Sequence, residues 1–81
     1  MKIVWDEPKR QANIAEHGMD FADVVFFGWE RALITKAHTK RMKAIGRFAD
    51  ETAVVIYAEL GTEAISIISF RPAKPKERNL I

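Results

Sequence analysis

The sequence predicts an α+β fold: a small twisted antiparallel sheet with helices packed on it, in the order β-α-α-β-β-β-β-α. Three observations predict it. Helix caps and a glycine stop crowd into residues 5–28, whereas from Glu30 onward the hydrophobic period changes to two. The segments of that second half are rich in β-branched residues and broken by turn residues at short intervals. Connections that short leave no room for parallel crossovers, so consecutive strands must pair as an antiparallel meander.

Lys2–Trp5 reads as a short strand. Asp6 caps the helix that follows, and Pro8 fits its first turn, where a missing N–H costs nothing. That helix reaches His17 and stops at Gly18, the residue best able to take a left-handed C-terminal conformation. Asp20 caps a second helix, with Asp23 at its third position, and Phe21, Val24, Val25 and Phe27 make it very apolar. The strands then run Arg31–His38, Lys40–Phe48, Thr52–Glu59 and Ala64–Phe70, separated at Thr39, Asp50-Glu51 and Gly61-Thr62. Pro72 ends the last strand, and Pro75 seeds a terminal helix through Ile81.

Eighty-one residues make a single domain, residues 1–81, with one two-layer core as the realistic ceiling. Five Phe and two Trp supply that core and argue against disorder. The absence of cysteine removes disulfides, thiolate metal sites and a cysteine nucleophile together. No apolar run approaches the roughly 20 residues that cross a bilayer, and no signal-peptide core opens the chain, so a soluble, cytoplasmic protein is expected. Two histidines and scattered carboxylates lack metal-ligand spacing, and no glycine-rich phosphate loop is present, so neither a metal nor another cofactor is expected.

Net charge is only +2, but its distribution is uneven. Lys36, Lys40, Arg41, Lys43 and Arg47 fall in one acid-free stretch, and Arg71, Lys74, Lys76 and Arg78 surround Glu77 alone. Two such clusters imply an anionic partner, most simply nucleic acid, or else solvated strand edges and a helix end. Alternation places Arg41, Lys43, Ile45 and Arg47 on one sheet face and Met42, Ala44, Gly46 and Phe48 on the core face. In the last strand it groups Ile65, Ile67, Ser69 and Arg71 against Ala64, Ser66, Ile68 and Phe70. In the first helix Lys9, Asn13 and His17 recur one turn apart and form a polar ridge.

Beyond these patterns, an ordered set of residues resembles a known family. It comprises Trp5-Asp6, Lys9, Asn13, His17-Gly18, Phe21 and Ala22, then Arg41 and Ala44-Ile45-Gly46. Val54-Val55-Ile56-Tyr57, Ile67-Ile68-Ser69, Arg71, Ala73 and Glu77-Arg78 complete it. This is similar to the BrnT toxins, the ribonuclease halves of type II toxin–antitoxin pairs, over nearly the whole chain. The resemblance implies a RelE-like fold and metal-independent endoribonuclease activity that inhibits translation. It also implies a BrnA-like antitoxin with a ribbon-helix-helix domain, bound in a two-plus-two complex that alone contacts DNA. The chain departs from the family at Ser66 and Pro72, where members often carry Arg, and it ends soon after Glu77-Arg78, where many continue.

RNA cleavage without metal needs a base for the ribose 2′-OH, cations for the charged transition state, and an acid for the leaving 5′-oxygen. Arginine suits the middle task because its planar fork binds phosphate oxygens in pairs. With the resemblance, Arg41, Arg71 and Arg78 are expected in that role, and His17 as acid or base, since histidine titrates near neutrality. Lys9, Lys43, Arg47 and Lys74 are expected RNA contacts, with Tyr57 and Glu59 as lesser proton-transfer candidates. Each has a structural counterpart: His17 as a helix-end cation, Asp6 and Asn13 as cap and tether, Trp5 as core, and the arginines as surface ion-pair partners. The alternatives to a ribonuclease are an RNA- or antitoxin-binding module without full catalysis, or a plain protein-interaction domain.

Overall fold

A computed structural model describes residues 1–81. Strands β1 (Lys2–Trp5), β2 (Leu33–Lys36), β3 (Arg41–Phe48), β4 (Glu51–Leu60) and β5 (Ala64–Pro72) form one sheet in the order β1-β5-β4-β3-β2. The last four make the antiparallel meander expected from their short turns. β1 adds to β5 in parallel, with Ile3 opposite Ile65, so the sheet is mixed at one edge. Helix α1 (Glu7–His17) is the crossover that makes this parallel pairing possible.

α1 begins and ends as its caps require. The Asp6 carboxylate accepts from the Lys9 N–H, and Gly18 adopts φ 68° while its N–H reaches the Ile14 carbonyl at 2.8 Å. Arg10 clamps the next segment by giving Asp20 two bonds of 2.7 and 2.9 Å, which holds that carboxyl down to about 2. Asn13 is buried and stands beside the sheet as a surrogate strand residue: its amide donates to Phe70 O at 2.7 Å and accepts from Phe70 N at 3.2 Å. Asn13→Ala should therefore cost about 2 kcal/mol of stability in denaturant unfolding, because it leaves buried strand groups unpaired.

The second helix is a 3-10 helix over Phe21–Phe26, capped by Asp20 through the Ala22 N–H. Phe21 and Val24 recur one 3-10 turn apart and are both buried, and Phe27, the C-cap in extended backbone, is buried with them. Val25 and Phe26 consequently point outward. A further 3-10 turn, Trp29–Arg31, replaces the predicted start of β2, and β2 itself is shorter than expected. β3 passes close beneath this segment. A Cβ on Gly46 would stand 2.8 Å from the Phe27 ring, so only glycine admits the contact.

The main core lies between the sheet and these helices, where Phe27, Phe48, Phe70, Trp29 and Tyr57 meet edge to face. Trp5 packs against it, in keeping with its structural reading. A smaller cluster of Ile45, Val54 and Ala73 occupies the opposite face. The terminal helix α2 (Pro75–Arg78) belongs with that second cluster, so the helices do not all share one face as expected. It is a single turn, because Leu80 and Ile81 stay exposed and have no apolar surface to bury.

The expected alternation in β5 is also broken. Ile56 pairs with Ser69 while its neighbour Tyr57 pairs with Ile67, so Ile68 is an extra residue, a β-bulge. Before the bulge Ile65 and Ile67 face the main core, and after it Phe70 does, while Ser69 and Arg71 face the other way. One inserted residue thus separates Arg71 from the two isoleucines that strict alternation had grouped with it.

Candidate functional site

The face opposite α1 carries Lys43 and Arg71. Register sets them in rows: Lys43 pairs with Ile56 and Ile56 with Ser69, while Ile45 pairs with Val54 and Val54 with Arg71. Lys43 and Arg71 are therefore near neighbours two strands apart, about 10 Å between backbones and within reach of a shared partner.

That partner is Glu77. Its carboxylate receives Arg71 in a two-pronged pair at 2.8 and 2.9 Å, and Lys43 closes on the Oε2 side. The Lys74 N–H donates to Oε1 at 2.8 Å, so the same carboxylate closes the first turn of α2. The Glu77 side chain is only 8% exposed, and it is the one buried charged residue of the fold. Arg71 holds it far below the ordinary carboxylate range, against a burial effect that works the other way. Glu77 in turn raises the Arg71 guanidinium. Two cations on one carboxylate leave this cluster with a net positive charge.

Arg71 retains binding capacity. Of its five N–H groups, Glu77 takes two and the Pro72 carbonyl a third bond at 3.2 Å, which leaves donors for an anion. Arg78 donates to the Ala73 carbonyl at 3.1 Å and stands over the link from β5 to α2. It shares a depression of about 330 Å³ with Arg47, Asp50, Glu51, Thr52 and Pro72. His17, from the other face, lines a neighbouring depression of about 280 Å³ that also reaches Thr52 and Pro72. His17 and the pair Arg47 and Arg78 thus flank the same end of the sheet.

The remaining expected residues lie elsewhere. Arg41 sits at the far end of β3, opposite Ala58, about 13 Å along the strand from the row of Arg71. Lys9 is exposed on the first turns of α1, on the face away from Glu77, and Lys74 is exposed at the start of α2. Tyr57 is buried against Trp29, and burial pushes its hydroxyl up, with Glu59 adding to the effect. His38 lies in the β2–β3 turn, at the opposite end of the sheet from the His17 depression. No three His, Asp or Glu side chains converge, so no ligand set for a metal is assembled. No helix is long and apolar enough to cross a membrane.

Sequence reasoning missed Glu77 as a site residue. Its signal was present, since it is the lone acid in the second basic cluster and stands three residues after the N-cap of α2.

Comparison with known proteins matches the sequence to a family and the fold to a solved structure. Residues 5–77 match the family described as the ribonuclease toxin, BrnT, of type II toxin–antitoxin systems. The crystal structure of the Brucella abortus ribonuclease toxin BrnT is 48% identical in sequence and superposes with a TM-score of 0.81. The match covers 91% of this chain and 97% of that one. No sequence among curated proteins matches significantly.

Proposed function

The chain belongs to the BrnT ribonuclease toxins of type II toxin–antitoxin systems, and from that premise we propose that it cuts RNA on the cationic face, without a metal ion. Cleavage in the cytoplasm inhibits translation until a BrnA-like ribbon-helix-helix antitoxin binds, two copies with two. The observation that carries this reading is the gathering of Lys43 and Arg71 by a buried carboxylate, beside Arg78 at the same end of the sheet.

In the proposed step the ribose 2′-oxygen forms a bond to phosphorus as its proton leaves to a base. The bond from phosphorus to the 5′-oxygen breaks, and that oxygen takes a proton from an acid. The products are a 2′,3′-cyclic phosphate and a free 5′-hydroxyl. Arg71 and Arg78 stabilise the extra charge on the phosphorane, and Lys43 adds a point charge. Glu77 touches no substrate. It is a positioning residue that fixes the Arg71 fork.

His17 serves in proton transfer from across the sheet end, where an RNA strand over Thr52 and Pro72 meets both sides. Arg41, about 13 Å along its strand from the row of Arg71, then contacts a neighbouring phosphate, and Arg47, Lys74 and Lys9 hold flanking backbone.

Purified protein should cut RNA equally well with and without EDTA, and loss of cleavage in EDTA would overturn metal independence. His17→Ala should lower the rate about 100-fold and remove one limb of the pH–rate profile. An unchanged profile would return His17 to its role as a helix-end residue. A second reading, binding without cleavage, draws on the Glu77 pairing, which already occupies part of Arg71. It predicts salt-sensitive RNA binding with every strand left intact.

A further inference from the structure

The face that bears α1 has a feature the cleavage reading does not use. A groove of about 450 Å³ crosses it from β1 to β2, floored by Ile3, Ile65, Tyr57 and Ile34 and walled by Val25 and Trp29. It is an open apolar surface: Val25 is 61% exposed and Ile34 45%. Glu59 is the one charged residue lining it. Past Glu59 the groove runs into a depression bordered by Lys36, Lys40 and Arg41. Its centre is apolar and this end is cationic.

We propose that this groove holds an amphipathic helix of the antitoxin, with its apolar face on Ile34 and Val25 and acidic residues over Lys36, Lys40 and Arg41. The inference rests on the toxin–antitoxin reading and specifies where the partner sits. Dimensions suit the occupant. Four interstrand spacings span about 19 Å, the length of a helix of about 13 residues. Charge suits it too, since three cations outweigh the single carboxylate at that end. A second copy of this chain fits less well, because α1 offers only Ile14 and two alanines as apolar side chains and α2 is one turn long. The groove lies on the face opposite Glu77. The partner meets Arg41 only at the rim of the end depression, beside Lys36 and Lys40, and leaves Arg71 uncovered.

The test uses the full chain co-expressed with the ribbon-helix-helix protein of the adjacent reading frame, with affinity measured by titration calorimetry. Ile34→Asp should weaken the complex about 30-fold or more, as for an apolar anchor at an interface centre, with the thermal melt and free-chain RNA cleavage unchanged. Lys36→Glu should weaken it less and flatten its salt dependence. If Ile34→Asp lowers the melt, Val25→Asp, at a more exposed position, replaces it and should weaken the complex likewise. Wild-type affinity from both apolar variants overturns the proposal, as does loss of the complex in Arg71→Ala alone. A change in the oligomeric state of the free chain without a change in partner affinity would assign the groove to self-association instead. Failure of the wild-type chain to bind that protein at all would strike the toxin–antitoxin pairing itself, a result distinct from the others.

Discussion

Arg71→Ala should lower RNA cleavage by about two to three orders of magnitude, the usual consequence of removing a donor aimed at a developing negative charge. The measurement is a single-turnover rate on a defined RNA, with circular dichroism to confirm the fold. The variant also strands Glu77 with Lys43 as its one remaining cationic partner, so lost stability could imitate lost catalysis. Two companions separate the effects. Arg71→Lys keeps the charge but not the fork and should recover only part of the rate. Arg71→Ala combined with Glu77→Gln removes the stranded carboxylate, and should regain stability without regaining cleavage. A folded Arg71→Ala protein that cuts at the wild-type rate would remove Arg71 from the chemistry.

Glu77→Gln should cost about 2–4 kcal/mol of stability by urea unfolding. Total stability for a chain of this size is about 4–12 kcal/mol, so the variant stands near the edge of folding at body temperature. The substitution leaves Arg71 and Lys43 facing each other across a neutral amide. Cleavage should fall less than in Arg71→Ala, because the cations remain while their fork is loosened.

The pH dependence has a definite sign. Glu77 lies far below its ordinary value of 4.5 in the folded protein, so its stabilisation is fully present above pH 4.5. It is lost progressively as pH falls below that value. Asp20, shifted from 3.8 to about 2 by Arg10, adds a loss in the same direction over that narrower window. The wild type should therefore lose stability steeply below pH 4.5 and Glu77→Gln much less steeply. Parallel acid curves would show that Glu77 does not carry the linkage.

The local features of the fold were legible because local physics decides them. Asp6, Pro8 and Gly18 bound α1 through contacts within a turn, and short connections oblige β2 to β5 to pair as a meander. The apolar Phe21, Val24 and Phe27 were equally visible as a short helix, which the structure winds as a 3-10 rather than an α-helix. The family pattern extended the reading to a ribonuclease toxin. The residues of the cationic face were legible as candidates, since two acid-poor clusters stand out in a nearly neutral chain.

How those candidates meet was decided only in three dimensions. Ile68 carries no mark as the bulge, because a bulge arises from fitting two strands together and not from the preference of one residue. The shift at Ile68 sends Arg71 to the face of Lys43 while Ile67 stays in the core. Arg41, equally conspicuous in sequence, falls about 13 Å along its strand from the row of Arg71. Glu77 reads as a solvated acid until α2 folds over the second face and buries it between two cations. The sequence by itself determined the caps, the pairing of β2 to β5 and the supply of charge. Tertiary structure decided which charges share a partner, because that depends on register and on burial between segments distant in the chain.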